Sequence, residues 1–277
     1  MVAAVLGAAV LHAAWNALAK AIPDRRIASA LIGAASVPVA LVGIGLLPGP
    51  AAAAWPYLVV SGVLQTAYLL LIISAYRHGD FGTIYPLARG TSPLLVTVVS
   101  VTLLGDRLTF LELTGVAVVS VALCGLVFAR GRPAAGSWRG PAMAVATGVM
   151  IAAYTVVDGV GVRLSGAPLA YAAWLFLLHG TLVFAVCAVL YGRGFAAGLV
   201  RSWRPGVLGG LLSLAAYGIV LWAQSRSPLA LVSAMRETSV LFAVGIGAVV
   251  FAEKVTARAV AATVLAVAGI ALMKLGA

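Results

Sequence analysis

The chain has 277 residues, of which 63% are hydrophobic and 9% charged. A water-soluble domain carries about 25% charged residues, so this composition cannot cover a water-facing surface and requires one that faces lipid. The net charge of +11 does not point to nucleic acid, because the basic residues stand singly or in small groups between apolar runs. No basic stripe with interleaved aromatics is present, and the spacing fits topology signals at loop ends.

A membrane-crossing helix needs roughly 20 apolar residues. Cutting at charges, proline and glycine predicts ten spans: 2–20, 27–47, 57–76, 83–104, 109–129, 140–162, 168–191, 205–225, 228–252 and 257–275. The chain is thus expected to be an all-α membrane protein, since lipid forbids unpaired backbone over such lengths. The weakest breaks fall at 105–108 and 225–228. Met1 is followed directly by apolar sequence with no charged segment, so residues 2–20 are expected to be a retained first span. Cys124 and Cys187 lie inside apolar runs and indicate no disulfide framework.

The chain repeats itself. Residues 83–109 contain Tyr85-Pro86-Leu87-Ala88-Arg89-Gly90-Thr91-Ser92-Pro93 and end Gly105-Asp106-Arg107-Leu108-Thr109. Residues 230–256 contain Arg236-Glu237-Thr238-Ser239-Val240 and end Ala252-Glu253-Lys254-Val255-Thr256, at a constant offset of 147. Ala13-Ala14-Trp15 in span 1 has a counterpart in Ala152-Ala153-Tyr154 of span 6, at offset 139. Two five-span repeats follow, 1–130 and 138–277, joined by the Arg/Pro/Gly-rich stretch at 130–141. Five is odd, so the two copies enter the membrane in opposite senses. Inverted repeats of this kind belong to transporters, with binding near the midplane between halves.

Charge sets an expected orientation. Of the 18 Lys and Arg residues, Arg89 and Arg236 lie within spans. Arg107, Arg163, Arg226 and Lys274 fall on the side of the termini, and the other 12 on the opposite side. The positive-inside rule then places both termini outside and loops 1–2, 5–6 and 7–8 in the cytoplasm.

Arg89 and Arg236 are the first candidate functional residues. A charge in mid-bilayer costs about 2.5–3.5 kcal/mol even on insertion scales, so each must face protein or a watery cavity. They are expected either to meet a substrate carboxylate or phosphate, or to lock helices as ion pairs, most simply Arg89 with Glu237. Arg236 is not expected to serve Glu237, because helix neighbours point about 100° apart. Glu237 reads as the one acid deep in an apolar run, either a proton-coupling site or a fixed ionised partner. Asp158, toward the end of span 6, is a second such candidate.

His12, Trp15 and Asn16 share a face of span 1 at i, i+3 and i+4, a cavity wall or a set of interhelical hydrogen bonds. Tyr85, Tyr154, Tyr217, Trp222 and Ser239 complete the substrate-contact candidates, while Trp55, Tyr57, Trp138 and Trp203 at span starts read as interface anchors. Pro86, Gly90 and Pro93 are expected to kink or unwind span 4. The second copy lacks both prolines, so any unwinding should be asymmetric. No metal-ligand spacing, nucleophile elbow or phosphate loop is present, which argues against an enzyme, a cofactor and ATP-driven transport.

The repeated span with its acidic-basic turn (Asp106-Arg107; Glu253-Lys254), the glycines of the helix after each turn (Gly115, Gly125; Gly269) and His12-Ala13-Ala14-Trp15-Asn16 resemble the drug/metabolite transporter superfamily, specifically its ten-helix EamA-type members. The resemblance covers nearly the whole chain. It implies two inverted five-helix repeats, a cavity lined by spans 1, 3, 4, 6, 8 and 9, and cytoplasmic termini, the last against the charge count. The expected protein is an inner-membrane secondary transporter working by alternating access. Its expected cargo is a small polar metabolite, amino-acid-like or anionic, with export as the direction. A flippase for a lipid-linked metabolite and a non-transporting scaffold are the alternative readings. Proton coupling and the choice of monomer or dimer stay open.

Overall fold

A computed structural model describes residues 1–78, 81–128, 138–250 and 255–276. The helices are α1 (Val2–Ala21), α2 (Arg25–Leu46), α3 (Trp55–Ala75), α4 (Phe81–Thr102), α5 (Phe110–Gly125), α6 (Arg139–Ser165), α7 (Pro168–Tyr191), α8 (Phe195–Gln224), α9 (Leu229–Glu237), α10 (Ser239–Val250) and α11 (Ala257–Gly276). With α9 and α10 counted as one interrupted crossing, these are the ten spans, and the described residues contain no strand. Among the described residues, nine stretches are long and apolar enough to cross a membrane, and Phe110–Gly125 is a shorter apolar helix. Glu253 and Lys254 of the second turn, and Arg130 and Arg132 of the joining segment, lie outside the described residues.

Local chemistry explains the boundaries. Asp24 caps α2, accepting from the Arg26 and Ile27 amides at 2.8 and 3.4 Å. Partial burial raises this carboxyl, but hydrogen bonds and the charge of Arg26 outweigh it and hold Asp24 below its ordinary value. Thr109 and Glu112 form a capping box that starts α5. The weak break before it is made by Gly105 at φ 71°, a left-handed conformation that glycine adopts without strain. Asp106 in this turn accepts from the Leu229 amide at 3.1 Å, satisfying an orphan donor at the start of α9.

Two boundaries differ from expectation. Span 8 starts at Phe195, not 205, and carries Arg201, Arg204 and Pro205 within α8. Its 30 residues are about 45 Å long, which exceeds the hydrocarbon thickness, so charges near one end do not terminate it. The larger correction concerns the repeated span. α4 is continuous through Pro86 and Pro93, whereas the proline-free copy is interrupted at Thr238. There the Thr238 amide reaches back three residues to Met235 and the Leu241 amide three residues to Thr238, a tighter pitch than an α-helix permits.

The described residues form two compact units, Ala3–Thr66 with Val157–Arg226, and Ala67–Val156 with Ser227–Ala277. Each unit takes spans from both sequence repeats. In the first, α2 packs on α7, and a Cβ at Gly33 would lie 3.0 Å from the Gly180 carbonyl oxygen. Leu58, Tyr171, Leu175 and Leu221 build an adjoining core. In the second, α5 packs on α11 and α4 on α9. The second, fourth and fifth spans of one repeat therefore contact their counterparts in the other inside a unit. Leu, Val and Phe side chains such as Leu46, Val189 and Phe110 are 80%, 82% and 81% exposed, as lipid-facing residues should be.

Candidate functional site

In the unit of Ala67–Val156 and Ser227–Ala277, Arg89, Arg236 and Glu237 are 3%, 2% and 0% exposed. Arg89 Nη1 donates to Glu237 Oε2 at 2.8 Å. Arg236 Nε and Nη2 donate to Oε1 of the same carboxylate at 3.0 and 2.7 Å. The expected pairing of Arg89 with Glu237 is present, but the exclusion of Arg236 is overturned. Both residues belong to the last turn of α9, and the long, flexible Arg236 side chain spans the 100° offset so that its guanidinium folds back onto its neighbour.

Aromatic and hydroxyl groups complete the cluster. The Arg89 guanidinium lies 5.1 Å from the Tyr85 ring centroid and that of Arg236 5.8 Å from Tyr154, both within cation–π range. Tyr68 meets Tyr154 edge-on at 5.7 Å, and Thr155 Oγ1 accepts from Arg236 Nη2 at 3.3 Å. Ser239, the first residue of α10, is fully buried. The cluster thus joins Tyr85, Arg89, Tyr154, Arg236 and Glu237 of the candidates with Tyr68 and Thr155, which the sequence reading passed over. Tyr68 had a signal, an aromatic hydroxyl in the interior of predicted span 3, eight residues before its end.

In the unit of Ala3–Thr66 and Val157–Arg226, Asp158 is 0% exposed. Glu237 is therefore not the single buried acid within the spans. Its Oδ1 accepts from the Tyr171 hydroxyl at 3.0 Å, and its Oδ2 from Gln65 Nε2 at 3.2 Å and from the Tyr217 hydroxyl. Gln65 and Tyr171 were also missed, although an amide in the middle of an apolar run is itself a signal.

The remaining candidates stand apart from that carboxylate in their contacts. His12 and Trp15 stack edge-on at 4.9 Å, and Asn16 Nδ2 donates to the His12 carbonyl at 2.8 Å. Trp15 packs against the Ile27 and Leu31 core. Trp222 holds the Arg226 guanidinium 5.0 Å over its ring, at the end of α8. Trp138 and Trp203 are 78% and 53% exposed, in keeping with interface anchors.

Residues 138–275, the second sequence repeat, match the EamA-like transporter family. The chain belongs to this family. It is a multi-pass membrane transporter of the drug/metabolite superfamily, and the family's members are transporters, not enzymes. A solved structure described as "Crystal structure of protein" is similar at TM-score 0.76 and 19% identity, over 98% of this chain and 95% of that one. That likeness speaks to the fold. No curated protein matches the chain.

Proposed function

We propose that this transporter is a secondary active exporter of a small polar metabolite bearing an anionic group, amino-acid-like in size, working by alternating access between the two repeats. The observation that carries the reading is the buried cluster of two guanidinium groups on one carboxylate. Those three side chains sum to one positive charge. An anion brought to them completes the neutralisation, and bidentate guanidinium geometry suits carboxylate and phosphate. Tyr85, Tyr154 and Ser239 lie in the same cluster and supply hydroxyls for orientation. His12, Trp15, Asn16, Tyr217 and Trp222 are further proposed substrate contacts.

The location is the inner, plasma membrane, with both termini outside as the 12-to-4 charge count directs. The energy source is an ion gradient. A proteoliposome panel of radiolabelled amino acids, other carboxylates, phosphate esters and organic cations tests the cargo. Movement of anionic metabolites is expected, and movement of cations alone refutes the reading. Reporter fusions at the C-terminus, one active only in the cytoplasm and one only outside, test the orientation.

A further inference from the structure

The two buried carboxylates differ in what holds them. Glu237 meets guanidinium groups, while the contacts of Asp158 include three uncharged donors on three other helices, Gln65 on α3, Tyr171 on α7 and Tyr217 on α8. Uncharged donors return part of the solvation that burial removes without changing the net charge. A bound proton does change it. The donors also suit both states, because a tyrosine hydroxyl donates to a carboxylate and, after rotation about its C–O bond, accepts from a carboxylic acid.

Surrounding structure fixes the cradle and gives it an outer member. Gln65 Nε2 also donates to Ser61 Oγ at 3.0 Å, which anchors the amide. Gly161, three residues beyond Asp158 on α6, leaves room for the tyrosine, since a Cβ there would lie 2.5 Å from the Tyr171 hydroxyl and 2.6 Å from the Tyr57 Cβ. Asp158 and Tyr171 are 0% exposed, whereas Tyr217 is partly exposed. Among the described residues, titratable and charged groups near the carboxylate include Tyr171 and Tyr217, which bond it, Tyr57 on α3, which lies against Gly161, and Arg163, five residues along α6, whose Nε donates to the Gln224 carbonyl at 3.1 Å.

We infer that Asp158 is a proton-binding site, loaded and unloaded through the Tyr217 hydroxyl, and that its proton is the ion coupled to transport. The coupling half rests on the transport reading above, and the proton-binding half does not. The proton adds to a carboxylate oxygen to give the neutral acid and leaves to water by the same route, so no other reactant is required.

Infrared difference spectra of the full chain in liposomes, between about pH 5 and about pH 9, read protonation directly. A protonated-carboxyl carbonyl band is expected in the wild type, lost in Asp158→Asn and displaced in frequency in Asp158→Glu. Tyr217→Phe is expected to shift its midpoint by about one pH unit, the size of one lost hydrogen bond. A wild type without the band, or a band that survives Asp158→Asn, overturns the site. If Asp158→Asn does not fold, the displaced band of Asp158→Glu and the shifted midpoint of Tyr217→Phe carry the decision, and an unchanged band in both refutes the proposal.

Coupling is read in liposomes containing a pH-sensitive dye, using whichever panel compound the wild type moves. That compound is expected to drive a pH change through the wild type. Asp158→Asn should retain counterflow and lose the pH change. Compound movement with no pH change in the wild type overturns coupling and leaves the transport reading standing. A panel in which nothing moves refutes the anionic-metabolite reading, while the infrared band still decides whether Asp158 binds a proton.

Discussion

α4 and the α9–α10 pair are two copies of one sequence pattern, and they fold differently. α4 holds Pro86, Gly90 and Pro93 and stays continuous. The later copy has Ser233, Glu237 and Val240 at those positions and breaks at Thr238. Membrane helices tolerate proline when neighbours re-satisfy the freed carbonyl. The second copy breaks without a proline, next to a charge placed where the first has a glycine. Gly90 lets α4 lie against α5, while its counterpart Glu237 gathers two arginines. Duplication supplied two arginines, and divergence at one position supplied their shared counter-charge.

The comparison breaks most severely at Glu237. Glu237→Gln leaves two buried guanidinium groups without their shared carboxylate, and removing one partner of a buried pair costs about 3–5 kcal/mol. Loss of the monodisperse peak in size exclusion, or a large fall in thermal midpoint in detergent, is expected. A variant as stable as wild type would show the cluster to be incidental.

Arg89→Gln and Arg236→Gln come next. Each leaves Glu237 one cation, so about 1.5–3 kcal/mol is expected for each lost charged hydrogen bond. Arg236→Gln should cost more, since Arg236 supplies two hydrogen bonds and Arg89 one. Denaturation of both single variants and the double one gives the coupling. The double variant should exceed the sum, because it strands the carboxylate. If flux falls in either single variant while stability is nearly kept, the arginines contact cargo; a stability loss with proportionate flux argues for pairing alone.

Gly90→Ala examines the other copy. A Cβ there would lie 2.5 Å from Cys124 Sγ and 2.9 Å from both the Cys124 nitrogen and the Ser120 carbonyl oxygen. Two of these are backbone atoms, so α4 and α5 must separate, at about 1–3 kcal/mol. The thermal midpoint measures it. No loss would mean that the glycine is not what seats α4 on α5.

Much of this fold was legible before the structure. Apolar run lengths set nearly every span, because lipid leaves backbone no other option, and the break at 105–108 fell just before Thr109, which caps α5. Span 8 was cut short because Arg201, Arg204 and Pro205 look like a stop, and only the helix's length reveals that they are not. The site was half legible. Arg89, Arg236 and Glu237 stood out as charges in apolar runs, but that Arg236 folds back onto its own neighbour depends on a side-chain conformation that helix geometry alone does not give. Gln65 was visible and passed over, since its partner Asp158 lies 93 residues away and no spacing rule connects them.

The smallest test asks what ends α9. Thr91 and Thr238 are equivalent, yet Thr91 Oγ1 bonds the carbonyl four residues back at 2.7 Å, within the α-helical pattern, whereas Thr238 Oγ1 bonds Met235 three residues back. Backbone-bonding hydroxyls bend helices modestly, so the threonine is either the cause of the break or a passenger of the Glu237 pairing. Thr238→Ala separates these. If the ion pairs hold the backbone, stability changes by less than about 1 kcal/mol and amide hydrogen exchange around residues 238–241 stays as in wild type. Slower exchange there, with α9 and α10 merging into one helix, would assign the break to the hydroxyl, and the contrast with α4 would then rest on hydroxyl geometry and not on charge.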